Sequence, residues 1–331
     1  MTRPGAGVLA AALLFVGLFV LGSAPPGPLP PIGPLLDPAH GIWSVARQAE
    51  LPIRADGRLA GLTAPVAVRY DWRGVPHITA TNELDAVRAL GYVVARDRLF
   101  QLEVLWRSGA GRLTELVGSA ALSLDQEARS LGLGDAAERY LAGLPPEDPE
   151  RRLLQAFADG VTAWQDGRGR AIRPFEYQLL GRRPARWSPI NSLHVLGRMG
   201  WNLAHSRHEE RLRAATRLVG ETAARALFPM HAPLQQPIIP NGELAPRFRI
   251  TSLPPPGDAD SGPVAWHPDL TPDAVGSNNW AVSPSRTAAG YALLAGDQHL
   301  ELDLPSLWYE AALTVPDSLE VYGVTLPGAP V

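Results

Sequence analysis

The chain has 331 residues, 46% of them apolar, and a formal net charge of −3. That is enough for two packed domains and too near neutral to suggest a nucleic-acid or acidic-membrane partner. It contains no cysteine, which excludes disulfides, thiolate metal sites, a cysteine nucleophile and a lipid-modified N-terminal cysteine.

The run opening at Val8 and closing at Gly22 is apolar throughout, preceded by Arg3 and followed by Ser23-Ala24. As a helix, about 15 residues span about 22 Å, short of a hydrocarbon core of roughly 30 Å. Residues 1–24 therefore read as a secretory signal peptide, with an uncleaved membrane anchor as the alternative. Either way the body of the protein is expected to be exported, to the periplasm or the extracellular space. Residues 25–61 are proline-rich and read as an extended spacer.

Residues 62–245 read as mostly helical after an opening hairpin. Val66, Val68 and Tyr70 alternate, Asp71 to Gly74 turns, and Val75 to Ile78 returns. Asn82 with Asp85 three residues on is a helix cap, and Val87, Leu90, Val94, Leu102 and Leu105 follow at helical spacing. Gly109 and Gly111 end that helix. Residues 150–165 are amphipathic, with Leu153, Leu154, Phe157, Val161 and Trp164 on one face. Ser188-Pro189 is a cap followed by a first-turn proline, and Leu193, Leu196, Met199 and Leu203 then line a face. Residues 246–276 read as a linker. Beyond it the pattern is of strands at 279–282, 291–295, 308–315 and 319–325. A helical part followed by a β part is an α+β layout.

Gly276-Ser277 stands at the linker-to-strand junction. If that bond is cut, Ser277 becomes a terminus bearing both a hydroxyl and a free α-amine. The amine titrates near ~7.7–8.0, so it can serve as the nucleophile's own base without a histidine. Gly276, lacking Cβ, tolerates the backbone strain needed for the hydroxyl to reach the preceding carbonyl. No P-loop, dinucleotide glycine motif, HExxH or Gly-x-Ser-x-Gly elbow is present.

Gly91-Tyr92-Val93-Val94-Ala95-Arg96-Asp97-Arg98-Leu99-Phe100-Gln101-Leu102-Glu103, with Gly111-Arg112-Leu113-Thr114-Glu115-Leu116-Val117-Gly118 after it, resembles the α-subunit signature of the penicillin acylases. Ser277-Asn278-Asn279-Trp280-Ala281-Val282 resembles the start of that family's β-subunit. Asp297-Gln298-His299-Leu300, Pro305-Ser306-Leu307-Trp308-Tyr309 and Pro327-Gly328-Ala329-Pro330 continue it in order.

The resemblance implies an N-terminal-nucleophile hydrolase with a four-layer αββα sandwich, incomplete here. It also implies a precursor that cuts itself at Gly276-Ser277 into two subunits. The β-subunit part, 277–331, is then expected to be truncated, with the oxyanion hole beyond Val331. The implied substrates are small N-acylated molecules, β-lactam antibiotics or N-acyl homoserine lactones, attacked by Ser277 through an acyl-enzyme. His299 would position the serine's hydroxyl or amine. Met199, Asn202, Leu203 and Leu300 would line the acyl pocket. Glu209 or Glu210 would offer a carboxylate to a structural calcium, although the chemistry itself needs no cofactor. The expected partner is the protein's own cleaved β-subunit, with membrane anchoring through the Val8 to Gly22 run in the uncleaved case. An inactive remnant of such an enzyme, acting only in interactions, is the alternative.

Overall fold

The computed structural model describes residues 4–23, 33–37, 41–43, 46, 59–167, 174–204, 208–228, 276–300 and 302–330. Most of the expected spacer, and the linker before Gly276, lie outside the described residues. Two compact units emerge, one of residues 1–204 with 303–331 and one of residues 205–302. In chain order the helices are α1 (Pro4–Ser23), α2 (Gly33–Leu36), α3 (Glu83–Ala110), α4 (Thr114–Val117), α5 (Leu122–Ser130), α6 (Leu133–Gly143), α7 (Pro149–Asp166), α8 (Phe175–Leu179), α9 (Pro189–Ala204), α10 (His208–Val219) and α11 (Glu221–Leu227). The strands are β1 (Ala67–Tyr70), β2 (Pro76–Thr79), β3 (Gly276–Val282), β4 (Leu293–His299), β5 (Tyr309–Val315) and β6 (Leu319–Thr325). The class is α+β, as expected.

The N-terminal apolar run lies within α1, which is 20 residues long. Among the described residues no helix is long and apolar enough to cross a membrane.

The first unit is built on a four-stranded mixed sheet in the order β1-β2-β5-β6. The β1–β2 hairpin forms as its alternation predicts, with Val68 opposite Ile78. Asp71 Oδ1 closes its turn by accepting the amides of Arg73 at 2.8 Å and Val75 at 3.0 Å. β2 then pairs in parallel with β5, Ile78 opposite Leu313, and β5 pairs antiparallel with β6. The central strand β5 is buried along most of its length. Segments on both sides of Gly276 therefore belong to one sheet.

Helix α3 begins at Asn82, whose side chain accepts the Asp85 amide at 2.9 Å, satisfying a donor the helix leaves unpaired. It ends at Gly111 in the left-handed region, φ 64°, the usual glycine stop. Helix α7 buries Leu154, Phe157, Val161 and Trp164, the face its periodicity predicts. The two helices approach closely through glycines. A Cβ on Gly91 would stand 2.3 Å from the Phe157 carbonyl oxygen, and one on Gly160 would stand 2.0 Å from that of Arg88. A third contact of this kind brings Gly109 of α3 against His194 of α9, where an added Cβ would lie 2.0 Å from the His194 oxygen.

Helix α9 departs from the expected stripe. All of 191–195 is buried, because α3 lies on one side and Ala137, Leu141 and Leu154 pack on the other. The second half of the helix turns outward, and Leu203 is 55% exposed.

The polar residues of the 91–103 stretch are ties of the framework. Asp97 accepts the Tyr309 hydroxyl at 2.7 Å and Arg96 Nε at 2.7 Å. Gln101 donates to the Ser306 carbonyl at 2.9 Å. Glu103, buried, accepts from Arg107 Nε at 2.8 Å, the Tyr177 hydroxyl at 2.6 Å and the Ala185 amide at 3.1 Å. Burial, then the Glu103 charge, pushes the Tyr177 hydroxyl above its ordinary value, so it stays a donor. Asp85 is likewise buried. Burial works against its charge, but donors from Thr63, Asn82 and the Ala64 amide outweigh that and hold the carboxyl below its usual range. Buried charges persist only when satisfied in this way.

The second unit contains α10 and α11, together with β3 and β4. The two strands pair antiparallel over seven residues each, from Gly276 opposite His299 to Val282 opposite Leu293.

Candidate active site

Ser277 is the second residue of β3 and lies opposite Gln298. Gly276, on the other side of the expected scissile bond, lies opposite His299, the last residue of β4. Sequence distance thus collapses to neighbouring positions at one end of a hairpin. The strand expected at 291–295 runs instead over Leu293–His299, which brings His299 into the ladder.

The pleat adds a detail that spacing alone does not give. Side chains alternate between faces along a strand, and directly opposed residues share a face. Gly276, Asn278 and Trp280 thus share one face with His299, Asp297 and Ala295. Ser277, Asn279 and Ala281 occupy the other, with Gln298, Gly296 and Leu294. In the uncut chain the side-chain positions of Ser277 and His299 are adjacent in register and on opposite faces.

His299 is held on its own face. Its Nε2 lies 2.7 Å from Asp297 Oδ2, and Asn278 Nδ2 approaches the same nitrogen at 3.5 Å. Asp297 stands in the motif read from the sequence, but no role was assigned to it there. The available signal was its i, i+2 spacing from His299, which on a strand puts both on one face. Apart from half-buried Val282, the described side chains of the two strands are exposed, with Trp280 52% and Leu294 84% accessible.

The other expected site residues lie elsewhere. Met199, Asn202 and Leu203 occupy the outward-turning second half of α9, Met199 half-buried and the other two exposed. They belong to the first unit. Leu300, half-buried, directly follows β4 and belongs to the second. Glu209 is an exposed residue of α10. Calcium takes about six to eight oxygen ligands, and among the described residues no three histidine or carboxylate side chains are grouped to hold a metal. A cleft of about 620 Å³ opens in the first unit, lined by Thr63, Asn82, Glu83, Arg152, Leu153 and Ser318 among others. None of the expected site residues lines it.

The sequence profile described as penicillin amidase matches residues 65–331. The chain is 38% identical over 291 residues to the penicillin acylase 2 proenzyme of Pseudomonas sp. strain SE83, a match covering 86% of this chain and 36% of that protein. To the acyl-homoserine lactone acylase QuiP of Pseudomonas aeruginosa it is 32% identical over 275 residues, covering 82% of this chain and 32% of the relative. Among solved structures it is similar to a thermostable penicillin G acylase from Alcaligenes faecalis, with 25% identity, a TM-score of 0.43, and coverage of 55% of this chain and 98% of that one. The chain spans about a third of the length of these curated relatives.

Proposed function

The chain belongs to the penicillin amidase family, and from that premise we propose that it is an amidohydrolase precursor that cuts itself at Gly276-Ser277. Ser277 then hydrolyses the side-chain amide of small N-acylated molecules. The observation that carries this reading is the place of Ser277. It directly follows a glycine at the start of a strand, inside the family match, at the hairpin end where His299 also sits.

In the first step Ser277 Oγ attacks the Gly276 carbonyl carbon. The C–N bond breaks, the hydroxyl proton passes to the departing nitrogen, and an ester joins Gly276 to Ser277. Water hydrolyses that ester, leaving a Gly276 carboxylate and a serine with a free hydroxyl and a free α-amine. In the second step the hydroxyl attacks the substrate's amide carbonyl, and the α-amine takes its proton and passes it to the leaving amine. Water then releases the acid from the acyl-enzyme. The base is the serine's own amine, so the scheme assigns the reaction no cofactor.

Substrates of this class are supported by the relatives, one named a penicillin acylase and another an acyl-homoserine lactone acylase. The two products of scission would stay together as a heterodimer, because β2 lies before the cut, β5 lies after it, and the two strands are hydrogen-bonded. The apolar α1 supports export.

The test is intact-mass analysis of the protein and of its Ser277→Ala variant, with hydrolysis assays on penicillin G and on N-acyl homoserine lactones. The wild type yields a fragment beginning at Ser277 and releases free acid; the variant does neither. Processing or hydrolysis that survives in the variant refutes the reading.

A further inference from the structure

We infer that Asp297 is a positioning residue for His299, and that the pair serves the α-amine of Ser277 rather than its hydroxyl. The inference rests on the serine amidohydrolase reading above. Asp297 and His299 are two residues apart on β4 and so share a face. Asp297 Oδ2 is 2.7 Å from His299 Nε2, the separation of a charge-assisted hydrogen bond. Asn278, opposite Asp297 in the ladder, reaches the same nitrogen only at 3.5 Å, so the carboxylate is its principal partner.

A carboxylate only accepts. In the neutral ring Nε2 therefore carries the proton, and Nδ1 is left with its lone pair. The ring thereby presents an acceptor, which suits an ammonium or amine N–H. The register says which group of Ser277 it can serve. The serine side chain projects from the opposite face, but the backbone nitrogen lies in the plane of the ladder, next to His299's own pairing position. Once Gly276 is cut away, that nitrogen is the free α-amine. By fixing the ring's tautomer and orientation, Asp297 controls how that amine exchanges its proton.

An exposed pair of this kind contributes little to stability, so the variants are expected to fold. Two readouts on the full chain test the inference: the ring ¹⁵N signals of His299, assigned through a His299→Gln variant, and steady-state hydrolysis of penicillin G or an N-acyl homoserine lactone. Asp297→Asn is expected to move the ring signals away from the Nε2–H pattern. It should also lower kcat by about tenfold or more, the low end for losing a partner that orients a functional histidine, with KM within about twofold. Asp297→Glu, which keeps the carboxylate, should recover most of the loss. Unaltered ring signals in Asp297→Asn, or turnover equal to that of an active wild type, overturn the inference alone. A wild type that neither processes nor hydrolyses overturns the underlying reading, and the inference falls with it.

Discussion

The first unit and the β3–β4 hairpin are built by opposite rules. In the first, a few carboxylates are buried and well supplied with donors: Glu103 takes three, and Asp85 gathers Thr63, Asn82 and Ala64. Glycines let α3 and α7 touch backbone to backbone. In the hairpin the described side chains other than half-buried Val282 are exposed, and the polar residues face one another at its end. Stability is concentrated in the unit that carries no proposed nucleophile, and the proposed chemistry sits where packing constrains little. A close-packed interior resists any added atom, whereas an exposed ladder tolerates change in everything except register.

The contrast can be tested by substitution. The largest effect on function is expected at Ser277, where alanine removes the nucleophile and abolishes processing and hydrolysis. The largest effect on stability is expected at the helix crossing. Gly160→Leu places side-chain atoms where even Cβ would stand 2.0 Å from a backbone oxygen, and should cost about 3 kcal/mol or more in urea unfolding. A smaller gap between that variant and wild type would mean that the helices can slide apart. Glu103→Leu leaves Arg107 with Glu115 as its remaining carboxylate and strands the Tyr177 hydroxyl and the Ala185 amide, a loss of about 1–3 kcal/mol for each stranded donor by the same measurement.

Acid should separate the two units by a smaller margin. Burial first, with the nearby Arg112 charge, lowers His194 to about 4. The unfolded chain therefore binds this proton more readily. The associated stability is complete above the unfolded histidine value of about 6.5 and is lost as pH falls toward about 4. Asp85, held low, adds a loss at still lower pH, as its carboxyl is forced to protonate. Unfolding midpoints measured from pH 7 to pH 3 should fall in these two stages, with His194→Leu flattening the first. The smallest effect is expected in the hairpin: Leu294→Ser, at a position 84% exposed, should stay within about 0.5 kcal/mol of wild type.

How much of this was legible in the sequence follows the range of the interactions. The β1–β2 hairpin, the Asn82 cap, the amphipathic α7 and the strands after Ser277 are local patterns, and each appears close to where its residues predict. The parallel pairing of β2 with β5 joins segments more than two hundred residues apart, and no periodicity carries that information. Asp97, Gln101 and Glu103 could be recognised as part of a motif, but their role as ties to Tyr309, Ser306 and Tyr177 depends on tertiary contacts. Leu203 was read as part of a stripe on α9 and turns outward, because the packing partners cover only the first half of that helix. Ser277 and His299 were legible as a pair. The face each occupies depends on register, which shifts by a whole side with one residue.

The central claim is that Ser277, as a chain terminus, carries the acyl group. The most direct measurement is to quench the protein during turnover of an N-acyl substrate, digest it, and locate the acyl mass. The account predicts the acyl group on the hydroxyl of a Ser277 that begins its peptide with a free amine. An acyl group on any other residue, or on Ser277 still joined to Gly276, would contradict it.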